Sequence, residues 1–357
     1  MTLPKDLLAE LRTRNENYSL SRDFYSNDDI YQTELETIWY QSWIFAGHPC
    51  EVTDEQALDF PLGDYQLRIM RDNGKIVAAA EKDGQSRPIH CREVEGYLFV
   101  NLAETPDDFA TFAEAVSPYM QVHHVNDLKI AAQSSIVEYG NWKLVLENNR
   151  ECYHCLSNHP ELIITYPEDP AITGTDAESK LPEMVSSHWE KCEAAGLPST
   201  FKIADDGTYR VARMPLLEDF TSYTMDGHDA VKKHIGDFKD VNPGALVLFH
   251  YPSTWNHFLD DQVISFRILP IAPQATLVTT KWLVHKDAVE GMDYDKEVLT
   301  YVWNQTNAQD KHLVEENQKG INSPLYESGP YSSVYESGVI QFVKWYGDLM
   351  QRRLQRG

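Results

Sequence analysis

His154 and His159 stand five positions apart in the run Glu147-Asn148-Asn149-Arg150-Glu151-Cys152-Tyr153-His154-Cys155-Leu156-Ser157-Asn158-His159-Pro160, with Glu151 three residues before the first imidazole. Two neutral imidazoles plus one carboxylate from elsewhere form the facial donor set that holds Fe(II) and leaves positions open for O2. On a regular helix, residues five apart point about 140° from each other, so both rings can reach one metal only if the helix ends or widens between them. Ser157-Asn158 ahead of His159-Pro160 supplies such a break, because the residue before proline disfavours the α region. Glu151 is spaced to share a face with His154 and to accept the proton on the ring nitrogen a metal would not use. Against this stands the ordinary reading of surface or hydrogen-bonded histidines.

A third donor must come from another element. Asp310, in Asn307-Ala308-Gln309-Asp310-Lys311, is an aspartate inside an otherwise strong helical pattern, and aspartate is a mediocre helix former. Glu315 and Glu316 read more easily as a solvated face. Asp310 could equally be a surface charge paired with Lys311 or Lys319.

The elements that would position these residues can be read from periodicity. Residues 1–45 read as helical. Leu58 to Ala80 alternates around Asp72-Asn73-Gly74, a hairpin signal. His90 to Asn101 adds a further pair of strands, and Leu128 to Val137 a strand leading into a helix from Asn141. Tyr166 to Gly207 reads as loops with one helix near Pro182–Ala195. Ala245–Tyr251, Asn256–Leu259, Val263–Pro270 and Thr276–His285 are expected to form an antiparallel sheet. Tyr294 to Gly320 reads as a long helix and Tyr335 to Leu354 as a terminal one. A long helix against a curved antiparallel sheet is an α+β arrangement.

The chain has 357 residues and a net charge of −24. That charge argues against nucleic acid or an anionic membrane as partner. It suits a small cation or a basic electron-transfer partner, or plain solubility. With no signal peptide and no span of about 20 apolar residues, a cytoplasmic location is expected. Five cysteines in a chain of this length do not read as a disulfide framework.

With these residues in place, the chain resembles the α subunits of Rieske non-haem iron oxygenases, in the branch acting on quaternary ammonium compounds: glycine betaine, proline betaine, choline and carnitine. The likeness runs through Trp43–His48, His90–Gly96, Asn141–His159, Met214–Leu217, His250–His257, Thr280–His285, Asn307–Asp310 and Glu336–Phe342, nearly the whole chain. It implies a helix-grip (START-like) catalytic domain with a long C-terminal helix, and the remnant of an N-terminal all-β Rieske-type domain. The boundaries implied are 1–42 for a helical segment, 43–104 for the β domain and 105–357 for the catalytic domain. It implies mononuclear Fe(II) on His154, His159 and Asp310, Glu151 linking the iron to a [2Fe-2S] Rieske cluster on a neighbouring subunit, and a homotrimer. A reductase or ferredoxin would feed electrons from NAD(P)H, and O2 would drive N-demethylation of the substrate.

One part of the family pattern is missing. A Rieske cluster takes two thiolates on one iron and two imidazoles on the other, from Cys-x-His and, roughly 15 to 20 residues on, Cys-x-x-His. No such pair occurs, and the sequence looks cut at residues 77–86. The match on both flanks favours a shortened longer chain over natural loss of the loops.

A quaternary ammonium offers no proton to share, so aromatic faces must recognise it. Tyr153, Tyr251, Trp255, Phe258 and Trp282 are the candidates, each also readable as core. Arg267 or Lys281 could receive a carboxylate. The competing functions are a non-catalytic helix-grip protein that binds a small cation, an oxygenase for an aromatic substrate, and a zinc hydrolase using the same three ligands.

Overall fold

The computed structural model describes residues 7–168, 182–238 and 241–355. Part of the stretch read as loops, residues 169–181, lies outside them. Between residues 7 and 39 the chain is helical only in short pieces, α1 (Leu7–Thr13), α2 (Asp23–Ser26), α3 (Asp28–Glu34) and a wide turn at Leu35–Trp39. The helical reading of residues 1–45 is corrected at its end, where Ile44 already begins a strand. Asn27 starts α3 by accepting from Asp29 N and Ile30 N at 2.8 and 3.1 Å, as an N-cap should. Their apolar residues, among them Tyr25, Ile30, Ile38 and Trp39, are buried in the main core.

The first sheet comprises β1 (Ile44–Gly47), β2 (Leu58–Leu62), β3 (Tyr65–Asp72), β4 (Lys75–Lys82), β5 (Gln85–Val94) and β6 (Tyr97–Asn101), in the order β1-β6-β5-β4-β3-β2. Three successive hairpins turn on two residues ending in glycine, each with positive φ at both: Asn73-Gly74 (50°, 78°), Asp83-Gly84 (53°, 75°) and Glu95-Gly96 (43°, 79°). That conformation matches the right-handed twist of the flanking strands. The middle turn falls inside the stretch where the sequence looks cut. Pairing is nevertheless unbroken there, from Lys82↔Gln85 through Ala78↔Ile89. The junction carries its own turn chemistry, so the expected gap is a finished hairpin.

After α4 (Ala110–Met120) come β7 (Leu128–Glu138), α5 (Trp142–Asn149), α6 (Cys155–Asn158), α7 (Glu183–Ala194), β8 (Lys202–Ile203), β9 (Tyr209–Met214), β10 (Ala245–His250), β11 (Thr254–Phe258), β12 (Val263–Ala272), β13 (Ala275–His285), α8 (Lys296–Ile321) and α9 (Ser337–Leu354). The second sheet runs β7-β13-β12-β11-β10-β9-β8, all antiparallel. Both its faces are covered, which is why β10 reads Ala-Leu-Val-Leu-Phe-His with every residue buried. Alternate side chains divide between two cores, with Ala245, Val247 and Phe249 in one and Leu246 and Leu248 in the other. The first core packs against α5, α8 and α9, and the second against α4 and β6. The α+β class, the antiparallel sheet and the long C-terminal helix are as the sequence suggested; α4 and the strands β8 and β9 were not foreseen.

The two sheets are joined by buried polar contacts. His48 bonds Gly96 O and Ser265 Oγ, both at 2.9 Å, through its two ring nitrogens. Glu51 pairs with Lys281, and Arg267 donates to Ala46 O while its guanidinium lies 4.1 Å from the Phe60 ring centroid. Among the described residues no helix is long and apolar enough to cross a membrane.

Candidate metal centre

The helix that leads to the site begins at Asn141, whose side chain accepts from Lys143 N at 3.0 Å. It is tied down by buried charge. Glu34 accepts from Lys143 Nζ at 2.6 Å, Trp142 Nε1 at 2.8 Å and Tyr346 OH at 2.6 Å, joining α3, α5 and α9. Glu147 accepts from Tyr25 OH at 2.8 Å and Tyr331 OH at 2.9 Å. Burial pushes the Glu147 carboxyl up to about 7 despite those two donors.

The helix ends at Asn149, sooner than the sequence suggested, so Glu151 and His154 do not share its face. They meet instead across an irregular turn, where Glu151 accepts one hydrogen bond from His154 Nδ1 and another from Tyr153 N. His154 and His159 then bracket the one-turn helix α6, as its first and last flanking residues. Two backbone breaks, one on each side of α6, solve the five-residue spacing. The turn is stapled by a Cys152–Cys155 disulfide, a single bond that the cysteine count did not suggest.

α8 brings Asp310 to the same point. His154 Nε2 and His159 Nε2 are 3.0 Å apart, and Asp310 Oδ1 lies 3.1 Å from His159 Nε2 and 3.5 Å from His154 Nε2. Ligands held cis at about 2.1 Å from a metal sit about 3 Å from one another, so this spacing fits a mononuclear divalent ion. The outward nitrogens are engaged: His154 Nδ1 by Glu151, and His159 Nδ1 by Gln309 Oε1 at 2.8 Å, with Gln309 Nε2 donating to Glu161 at 2.8 Å. Such partners fix ring orientation. Asn148 Nδ2 donates to Asp310 Oδ1 at 2.7 Å.

The electrostatics ask for positive charge. Burial alone would favour neutral groups. Yet Asp310 and Glu151 raise His154 to about 9, Asp310 raises His159, and the two imidazoles hold Asp310 well below the usual carboxylate range. A metal cation would replace those protons. The Cys155 sulfur also lies within 4.8 Å of the two imidazole donors, but its bond to Cys152 leaves no thiolate to coordinate. That leaves Asp310 as the carboxylate that approaches both Nε2 atoms.

A cavity of about 60 Å³ opens beside these three side chains, and Tyr166, Arg210, Phe249, His257 and Trp303 also line it. None of the five aromatics proposed from the sequence reaches it. Tyr153 is 62% exposed and stacks on Tyr335 with centroids 4.7 Å apart. Phe258 follows His257 on β11, so the strand's two-residue period sends it into the opposite core. Trp255 stacks on Phe266 one row away, centroids 4.9 Å apart. Tyr251 packs on Phe342 and Trp345 at 5.2 and 4.8 Å, and Trp282 is fully buried in the core. Arg267 and Lys281 are used between the sheets, as described. Phe249 and His257 were legible in principle, since both occupy inward positions of strands the sequence already located; Trp303 stands seven residues before Asp310 on the same helix face.

A Rieske cluster does not fit this chain. Where its ligand loops would stand, β4 and β5 close directly on Asp83-Gly84, and the free cysteines Cys50, Cys91 and Cys192 have no Cys-x-His or Cys-x-x-His context.

Residues 125–352 match the family model described as the ring-hydroxylating alpha subunit, catalytic domain. The chain belongs to this family and is a Rieske-type non-haem iron oxygenase. It is 36% identical to the glycine betaine monooxygenase oxygenase subunit of Chromohalobacter salexigens, covering 98% of this chain and 90% of that protein. The aligned span is 404 positions against 357 residues here, so that relative contains stretches with no counterpart in this chain. The corresponding subunit of Pseudomonas aeruginosa is also 36% identical, over 96% of this chain and 92% of its own. In fold, the chain is similar to the quaternary ammonium Rieske monooxygenase CntA solved with L-carnitine (TM-score 0.66, 17% identity, 98% and 99% of the two chains). It is likewise similar to naphthalene 1,2-dioxygenase from Rhodococcus sp. bound to indole (TM-score 0.67, 12% identity, 98% and 99%).

Proposed function

We propose that this chain carries out O2-dependent N-demethylation of a small quaternary ammonium compound such as glycine betaine or proline betaine. The observation that carries the reading is the convergence of His154, His159 and Asp310 beside an aromatic cavity, in a chain matching betaine monooxygenase subunits over nearly its full length. Fe(II) on those three residues would supply O2 activation next to an N-methyl group. The protein's own part is positional. Glu151 and Gln309 hold the imidazoles in register, and the faces of Trp303, Phe249 and Tyr166 receive the ammonium. In the overall reaction one N-methyl carbon gains an oxygen atom, while O2, two electrons and two protons account for that atom and one water. The resulting N-hydroxymethyl group leaves as formaldehyde, and the tertiary amine remains.

The division at 43–104 and 105–357 separates a β domain without its cluster from the domain with the iron site. Electrons must then come from a [2Fe-2S] centre outside this chain, on a ferredoxin or reductase fed by NAD(P)H. We further propose a homotrimer in a cytoplasmic setting. The test is anaerobic loading with Fe(II), then addition of O2, glycine betaine and a reductase–ferredoxin pair. Formaldehyde and dimethylglycine are expected in equal amounts. Tight betaine binding with no iron uptake and no formaldehyde would establish the non-catalytic binding protein instead.

A further inference from the structure

Two guanidinium groups lie buried next to the iron cavity, and neither belongs to the metal machinery. Arg150 is 1% exposed and Arg210 is 4% exposed. They share one aromatic ring: their guanidinium carbons lie 4.3 and 5.2 Å from the centroid of Phe249. Phe249 and Arg210 both form part of the cavity wall. Arg150 keeps Nε and Nη1 with no hydrogen-bond partner, and no carboxylate among the described residues pairs with it. A buried, under-satisfied cation is costly unless an anion meets it. Setting a second cation beside it raises that cost, and burial together with Arg150 lowers Arg210 to about 9.

The arrangement also runs against the grain of the chain. A net charge of −24 draws in cations of every kind, choline as readily as betaine. Discrimination between them needs a local positive spot, and this is where the described residues provide one. Resting on the ammonium-oxygenase reading, we propose that Arg210 and Arg150 form the carboxylate-binding end of the substrate site. They would select a zwitterionic ammonium carboxylate over an ammonium alcohol. His154, His159, Asp310 and Arg210 all line this one cavity. A short zwitterion with its carboxylate on Arg210 would therefore hold its N-methyl groups within the same cavity as the three donors. Paired charge-assisted hydrogen bonds to a planar guanidinium are the strong, directional kind that fixes such a pose.

Titration calorimetry of the anaerobic, Fe(II)-loaded protein with glycine betaine, glycine betaine methyl ester and choline tests this directly. The ester keeps the ammonium and removes the negative charge. Betaine is expected to bind on the order of 10- to 100-fold more tightly than either of the others. Arg150→Lys and Arg210→Lys should each weaken betaine by about tenfold while leaving choline unchanged, since lysine keeps charge but loses the fork. If either variant fails to fold, the ligand series on the unmodified protein still decides. Equal affinity for all three ligands overturns the carboxylate anchor, even if formaldehyde is released. With iron and reductant present, no formaldehyde from any of the three overturns the oxygenase reading, whatever the order of affinities.

Discussion

The two sheets of this molecule spend their polar residues differently. In the first, β4 and β5 point most of theirs at solvent, and the hairpins are specified by their turns alone. In and around the second, charge is kept inside: Lys143 of α5 with Glu34 of α3, Arg150 and Arg210 around Phe249, Glu138 without a partner for one oxygen. Buried ionic groups rarely add stability over apolar residues of the same shape. Arg210, in the wall of the cavity beside the two imidazoles, is where function most plainly overrides packing. The first sheet shows the converse. Its β3–β4, β4–β5 and β5–β6 turns all follow ordinary hairpin rules.

The sharpest way to break this comparison is at the donors. His159→Ala or Asp310→Ala should reduce bound iron from near one per chain to a trace, with turnover lost, as metal analysis and formaldehyde assay would show. Glu151→Gln should behave differently, keeping iron while turnover falls by roughly 10- to 100-fold, since it touches the metal only through His154. If Asp310→Ala retained full iron, the facial set would have to be redrawn around another acid.

A smaller effect tests the first sheet. A Cβ on Gly84 would meet nothing within 4 Å, so the cost of Gly84→Val is the left-handed backbone alone, about 1–2 kcal/mol. At Gly96 the added carbon would come within 2.8 Å of Val125 Cγ1 and 3.1 Å of its backbone carbon. Gly96→Val should therefore lower the melting temperature more than Gly84→Val. Iron content should be unchanged in Gly84→Val. Loss of iron there would mean that the hairpin is coupled to the second sheet after all.

The same contrast explains what the amino-acid sequence made legible. Alternation and turn residues located β3, β4, β6, β7 and β10 to β13, and helical periodicity located α5, α8 and α9, because those patterns are local. The residues that converge at the candidate metal centre were visible through residue type, and Asp310 through being a poor helix former at a helix interior. The substrate wall was not. Choosing Phe258 over His257 required knowing which face of β11 looks toward α8, and choosing Trp255 over His257 required knowing which row of that same face lies beside the cavity. Arg150 was hidden for another reason: it lies in the most informative run of the chain, yet an arginine near a helix end ordinarily reads as solvent-facing. The break at residues 77–86 shows only against what the family would place there, while the Asp83-Gly84 turn that closes it is a local signal of its own.

The least drastic change addresses the cost of a single buried acid. Glu138 ends β7 at 3% exposure, with Oε2 unpartnered. Burial, and next the charge of Asp310, push its carboxyl up to about 8, against 4.5 ordinarily. Between those values the unfolded chain gives up this proton while the folded chain keeps it. Stability from this group is thus fully present below about pH 4.5 and declines as pH rises toward 8. Glu138→Gln removes the titration and keeps the shape. It should leave the melting temperature nearly unchanged at pH 5 and raise it by a few degrees at pH 8, as scanning calorimetry at the two pH values would record. An equal shift at both would mean that the side chain's hydrogen bonding, and not its ionisation, sets the cost. The second sheet would then hold one less charge-related expense than the comparison with the first assigns to it.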